Sequence, residues 1–202
     1  AANIPFKMAT ELQSTVISGW LPICTGREAL TQICFAIGAV ANTAGRDHVE
    51  VFALSDTVKH NFTLAETMQG QSFSDSEKLT EVRLTEHIYS HLTEHVEAYK
   101  ADDSGTGNGI YVEFSEPLHS LAISSGTIVE SGANYAIINA NEGCVLTGMK
   151  YNHTTKVLSK KNPLVNVGDP QNIVEITDAT LISPMNSAAR LQSLYDYYEK
   201  RR

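Results

Sequence analysis

The sequence predicts an α+β protein in which β structure dominates, and three observations carry that expectation. Between Gly109 and Lys161 short apolar runs alternate with turn residues every ~8–12 positions, the spacing of a sandwich or barrel. An apolar face recurs with helical period near the two ends, at Leu30, Ile33, Cys34 and Ile37 and again at Leu191, Leu194, Tyr195 and Tyr198. At 202 residues the chain is long enough for one large or two small cores. Residues 1–60 and 165–202 are therefore expected to form one discontinuous helix-and-strand domain. Residues 61–76 would be a connector, and residues 77–162 an inserted β-sandwich-like module.

Taken in order, residues 1–24 mix Pro5, Gly19 and Pro22 with short apolar runs, and Ala9 to Ser18 reads equally as a strand or a short helix. Trp20, the only tryptophan, is expected to fill the core ahead of the first helix, because Trp buries a large area; stacking on a carbohydrate is the alternative role. Thr25 reads as an N-cap and Glu28 completes a capping-box pattern. Gly38 stands where a helix ends in a left-handed residue. Ala39–Ala41 and His48–Phe52 read as a hairpin around the polar turn Ala44–Asp47. From Ser55 to Ser76 the chain turns polar, with Gly70 as punctuation.

Residues 79–100 hold the sharpest chemical pattern, with His87, His91 and His95 recurring every four positions. On a helix these imidazoles would line one face, and two of them with a carboxylate would suit zinc. The H-E-x-x-H order of metalloprotease helices is absent, since each Glu precedes its His. In a strand the three also share a face, but about 13 Å would separate neighbours at ~3.3 Å per residue, too far for a common ion. The strand reading leaves a titrating, exposed histidine face, and no metal ligand is assigned.

Residues 101–109 form a polar, glycine-rich tip. Gly105, Gly107 and Gly109 lack both the spacing and the strand-to-helix setting of a dinucleotide loop. Asp102 and Asp103 lack the EF-hand ligand series. Strands are expected at Ile110–Phe114, Ser120–Ile123, Thr127–Val129, Tyr135–Ile138, Cys144–Met149 and Thr155–Leu158, with Asn152–His153 among the turns. Asn61 and Asn152 open glycosylation sequons that read as chance turn residues. Asn162–Pro163 and Gly168–Pro170 make a second connector. Strands are then expected at Ile173–Ile176 and Thr180–Ile182, before a last helix whose stop and cap are Pro184 to Ser187. Lys200, Arg201 and Arg202 suit its C-terminal end.

Composition excludes some classes. Apolar residues make up 42% of the chain, as in an ordinary soluble protein. A formal charge of −8 argues against duplex nucleic acid as a partner. No apolar run reaches the ~20 residues needed to span a bilayer, so no membrane partner is expected. Cys24, Cys34 and Cys144 sit in apolar settings without C-x-x-C spacing and read as buried free thiols. The Ala-Ala-Asn-Ile-Pro start has neither Met nor the features of a signal peptide, and the end lies within a helical pattern. A piece of a longer protein is expected. No P-loop, G-x-S-x-G elbow or catalytic-cysteine context appears, so neither an enzyme, a catalytic residue nor a cofactor is expected.

One stretch carries a family resemblance. Arg27-Glu28-Ala29-Leu30, Gln32-Ile33 and Phe35-Ala36-Ile37-Gly38-Ala39, followed by the hairpin, resemble hub and baseplate proteins of tailed bacteriophages and prophages. More narrowly, they resemble a late-control-D-like group of Gram-positive bacterial prophages. Gly19–Thr25, Val129–Ile137, Leu146–Tyr151, Asp178–Leu181 and Leu194–Tyr198 extend the resemblance over most of the chain. It implies a hub-like helix-and-strand domain that joins other tail or baseplate proteins. The full-length protein would be a homotrimer, made in the bacterial cytoplasm and assembled into the virion tail. These motifs are structural signatures, so the implied function lies in assembly surfaces. The rival from another class is a cell-surface or carbohydrate-binding β module; a third is a metalloenzyme built on His87, His91 and His95.

Overall fold

A computed structural model describes residues 4–54, 61, 63–66, 77–101, 105–166, 168 and 170–200. Strand accounts for 45% and helix for 18% of the described residues, which makes the protein a mostly-β α+β structure. In chain order the regular elements are β1 (Phe6–Met8), α1 (Gly26–Ile37), β2 (Ala39–Asn42), β3 (Val49–Ala53), β4 (Glu81–Lys100), β5 (Gly107–Glu113), β6 (Leu118–Ile123), β7 (Gly126–Ser131), β8 (Tyr135–Ala140), β9 (Val145–Lys161), β10 (Ile173–Ile176) and α2 (Ser187–Lys200). Three sheets result, ordered β1-β3-β2, β10-β4-β9-β6 and β5-β8-β7.

Two compact units divide the chain. One comprises Ala1–Ser18, Gly26–Glu86 and Lys156–Arg202; the other comprises Gly19–Thr25 and His87–Thr155. The expected breaks at residues 77 and 162 lie near strand ends, whereas this division falls inside β4 and β9. Burial changes along β4: its first seven residues are almost all buried, and those from Ile88 onward are half-buried or exposed.

In the first unit, α1 gives way directly to β2. Gly38 makes the turn with φ +76°, and its N–H donates to the Phe35 carbonyl at 3.2 Å. A residue without Cβ adopts this left-handed conformation at little cost. β2 and β3 pair antiparallel from Ala39↔Ala53 to Asn42↔Glu50, and β1 joins β3 in parallel. Leu12, Cys34, Ala39 and Val51 form the buried core of this layer, with Met8, Leu30 and Ile37 packed against it. Ala9–Ser18 is neither a strand nor an α-helix: it holds a 3-10 turn at Thr10–Leu12 that buries only Leu12. β10 pairs in parallel with the start of β4, Ile173 opposite Glu81. Thr180–Ile182 is a turn and not the expected strand. Leu181 and Ile182 are buried, and the Ile182 N–H closes the turn on the Ala179 carbonyl at 2.9 Å.

The entry to α2 is held by buried polar groups. The Asn186 amide donates to the Ala36 carbonyl at 3.1 Å and the Leu181 carbonyl at 3.0 Å, and its oxygen accepts from the Ser183 N–H at 2.8 Å. The Ser187 hydroxyl donates to the carboxylate of Glu86, which is buried in β4. Leu194 and Tyr195 are the buried residues of the helix face.

In the second unit the β5-β8-β7 sheet and the strands β6 and β9 share one core. Val112, Ala136, Ile138 and Ala140 come from the first sheet, Leu118 and Leu146 from the other, and Phe114 and Cys144 from the connections. Alternate residues of β8 are buried, the period-2 pattern of a strand with one face inward. β7 approaches β8 closely at Gly126, where a Cβ would lie 2.0 Å from the Asn139 carbonyl oxygen. β9 is one 17-residue strand. The turn expected at Asn152–His153 does not exist, because polar residues are at home on this solvent-facing half of the strand. β4 is strand throughout its 20 residues, which removes the helical alternative for the histidine series.

Asn186→Ala removes three buried hydrogen bonds and leaves the Ala36 and Leu181 carbonyls without that donor. Chemical unfolding followed by far-UV circular dichroism should show a loss of about 2–4 kcal/mol; an unchanged midpoint would contradict the assigned role.

Candidate functional site

The strand periodicity of β4 sets His87, Tyr89 and His91 on one face, and that of β9 does the same for Tyr151 and His153. Of the β4 histidines, His87 and His91 each meet a partner from elsewhere in the second unit. His87 Nδ1 lies 3.0 Å from His153 Nε2, so one nitrogen carries the proton and donates while the other accepts. The His153 ring is stacked against both His87 (centroids 5.2 Å apart) and Tyr89 (4.6 Å).

One step along, His91 stacks on His119 of β6 at 4.3 Å, with Tyr151 edge-on to His91 at 5.3 Å. His119 stands at a bulge: the register of β6 on β9 shifts between His119 and Ala122, and Ser120 takes φ +51°. A non-glycine residue there is uncommon and marks a built feature. The consequence is geometric, because His119 Nδ1 lies 3.0 Å from the Ser120 hydroxyl and Nε2 lies 3.1 Å from the Lys150 carbonyl. The carbonyl can only accept, so Nε2 carries the proton.

Burial, followed by the neighbouring charge on His87, holds His153 below the ordinary histidine value of 6.5. Burial raises the Tyr89 phenol above its usual range, an effect that the adjacent Trp20 partly offsets. A fully protonated His87–His153 pair would lose its hydrogen bond and gain like-charge repulsion. The arrangement is two ring stacks that tie β4 to β9 and β6 through imidazole and phenol rings.

The sequence-flagged residues are thus redistributed. His87 and His91 belong to different stacks, and His95 is exposed. Among the described residues no group of three or more His, Cys, Asp or Glu side chains is placed to hold a metal ion. Trp20 is half-buried and belongs to the second unit, whereas α1 and its core belong to the first, so it is not part of that core as expected. Cys34 and Cys144 are buried, but Cys24 is exposed because the segment ahead of α1 runs over the surface. Asn152 is exposed on β9, not in a turn, and Asn61 is exposed. The expectations for Asp102, Asp103, Gly70, Arg201 and Arg202, and for most of the 61–76 connector, lie outside the described residues.

Sequence reasoning missed His119 and His153 as partners. The signal was present in the alternation Tyr151-x-His153, which matches the parity of His87-x-Tyr89-x-His91. It also missed Arg190, which sits one helical turn before Leu194 and so at the margin of the apolar face of α2. Compared with protein-family models, with curated proteins and with solved structures, the chain matches none.

The sign of the pH dependence follows from His153. Its folded value is depressed, so its contribution to stability is complete above pH 6.5 and is lost as pH falls below that and through the lowered value. Thermal unfolding at a series of pH values should show a midpoint that drops below pH 6.5. The drop should be smaller in His153→Phe, which keeps a ring in the stack but cannot titrate; equal drops in both proteins would refute the assignment.

Proposed function

We propose that this chain is a non-enzymatic structural protein of a phage or prophage tail and acts through assembly surfaces. Its helix-and-strand unit is the hub-like part, and the β-rich unit is an inserted sandwich-like module. The partners are other tail or baseplate proteins, with a homotrimer in the full-length protein; nucleic acid and membrane are not among them. The protein is made in the bacterial cytoplasm and carried in the virion tail.

The observation that carries this reading is the unit formed by α1 and its hairpin. The residues that bear the resemblance, Arg27–Ala39, are the helix itself, its Gly38 terminus and the first residue of β2. They form a packing unit with no catalytic constellation among them. Further support comes from β1, a three-residue strand at a sheet edge with Phe6 69% exposed, next to Ile4 at 62%. An exposed apolar edge is a place where another chain can add.

A second reading, a cell-surface or carbohydrate-binding β module, draws on a different observation. Tyr111, 55% exposed, stacks on Tyr135 at 5.6 Å, and the Tyr135 hydroxyl donates to Glu130 at 2.6 Å. Exposed aromatic rings beside a carboxylate can bind a sugar face. Trp20 does not contribute to this pair.

The two readings separate by fractionation of an induced culture of the source organism. Peptides of this chain should co-sediment with gradient-purified tail particles, in constant ratio to the tail-tube protein across the peak. Recovery in the cell-wall fraction alone would overturn the tail reading, and a loss of wall polysaccharide binding in Tyr111→Ala would then establish the second.

A further inference from the structure

A cleft in the first unit, of about 590 Å³, is lined by Phe35, Gly38, Val40, Arg190, Tyr197 and Tyr198 among others. That volume lies within the range of small-ligand sites. Its walls are mostly apolar, yet it holds one guanidinium whose situation is unusual. Arg190 lies over the Phe35 ring, with its central carbon 5.1 Å from the ring centroid. Its Nε is buried and, among the described residues, has no hydrogen-bond acceptor. Among the described residues Arg190 makes no ion pair. Among the described residues, the other charged groups on the cleft are Asp196, whose carboxylate already accepts from the Gln192 amide at 2.7 Å, and Lys200. Burial holds the guanidinium below its ordinary pKa.

A donor withdrawn from water without an acceptor costs free energy. If packing over Phe35 were the only role of this side chain, an apolar residue would serve better. The position is instead built around the charge. Gly38 leaves the space that Arg190 occupies: a Cβ there would lie 2.7 Å from Nη1. The left-handed glycine that ends α1 therefore also seats the arginine of α2.

The geometry points to a carboxylate-binding site at Arg190, for an anionic group carried on a flat apolar body. The guanidinium supplies a planar fork of donors matched to a carboxylate. Phe35 fixes the plane from one side, and the apolar walls with Tyr197 and Tyr198 have room for a body far larger than the carboxylate alone. An aromatic acid and an acidic residue beside an aromatic one in a peptide share this chemistry. The inference does not depend on the tail reading, because it follows from a charge that no described residue compensates.

The test uses the whole chain and matched acid–amide pairs, followed by amide NMR shifts. Benzoate is compared with benzamide, and the blocked tripeptide Phe-Asp-Phe with Phe-Asn-Phe. At least one acid should bind saturably and at least about tenfold more tightly than its amide, as expected for a charge-assisted pair in a partly dry site. Preference confined to benzoate identifies a free aromatic acid as the ligand class; preference for the peptide identifies a polypeptide segment. Arg190→Met should abolish the preference while leaving the thermal midpoint unchanged or higher. Arg190→Lys, which keeps the charge and loses the fork, should weaken acid binding and serves if the Met variant fails to fold. Equal shifts from acid and amide up to about 10 mM in the unmodified protein, or a preference that survives both substitutions, would overturn the proposal.

Discussion

Asn186 uses its whole side-chain amide inside the first unit, and the arrangement of that unit depends on it. Its two donors go to the end of α1 and to the Leu181 turn, and its acceptor holds the Ser183 N–H at the approach to α2. Helix ends leave carbonyl groups without intrahelical partners, and a buried end must find them elsewhere. Here one side chain, 150 residues away in sequence, answers that demand. The neighbouring Ser187 then ties the same turn to Glu86 of β4. A helix from the start of the chain, a strand from its middle and a helix from its end are thus fixed around a few buried polar groups. Such groups specify one arrangement, because any other would leave them unpaired.

The same node sets the chemistry of the cleft. With the end of α1 and the start of α2 fixed, Gly38 and Arg190 are brought together, and Phe35 is positioned under the guanidinium. In the second unit a comparable constraint comes from sheet periodicity. Residues two apart share a face, so His87, Tyr89 and His91 meet Tyr151, His153 and His119 as two ring stacks and not as one cluster. The four-residue histidine spacing, which would be chelating on a helix, becomes a separation on a strand.

Much of the local structure was legible because it depends on near neighbours. The periodic faces of α1 and α2, the Gly38 terminus and the Ile173–Ile176 strand all follow from short-range pattern. The long strands did not, because their outer halves are polar. Asn152–His153 looks like a turn when the partner strand that pairs with it is unknown. Leu181 and Ile182 look like a strand because they are apolar, but their burial comes from a turn packed inside the first unit. Cys24 was misjudged for a related reason: its apolar neighbours in sequence are not its neighbours in space. The sites were the least legible. Arg190 and His119 gain their meaning from residues far away in sequence, and no local spacing announces them.

A structural role fits a protein whose polar networks mainly hold elements in place and whose apolar residues at a sheet edge remain uncovered. Antibody-gold labelling of particles released from an induced culture, with serum raised against this chain, tests that role most directly. The account predicts gold at the tail tips. Gold on cell walls with unlabelled particles would contradict it.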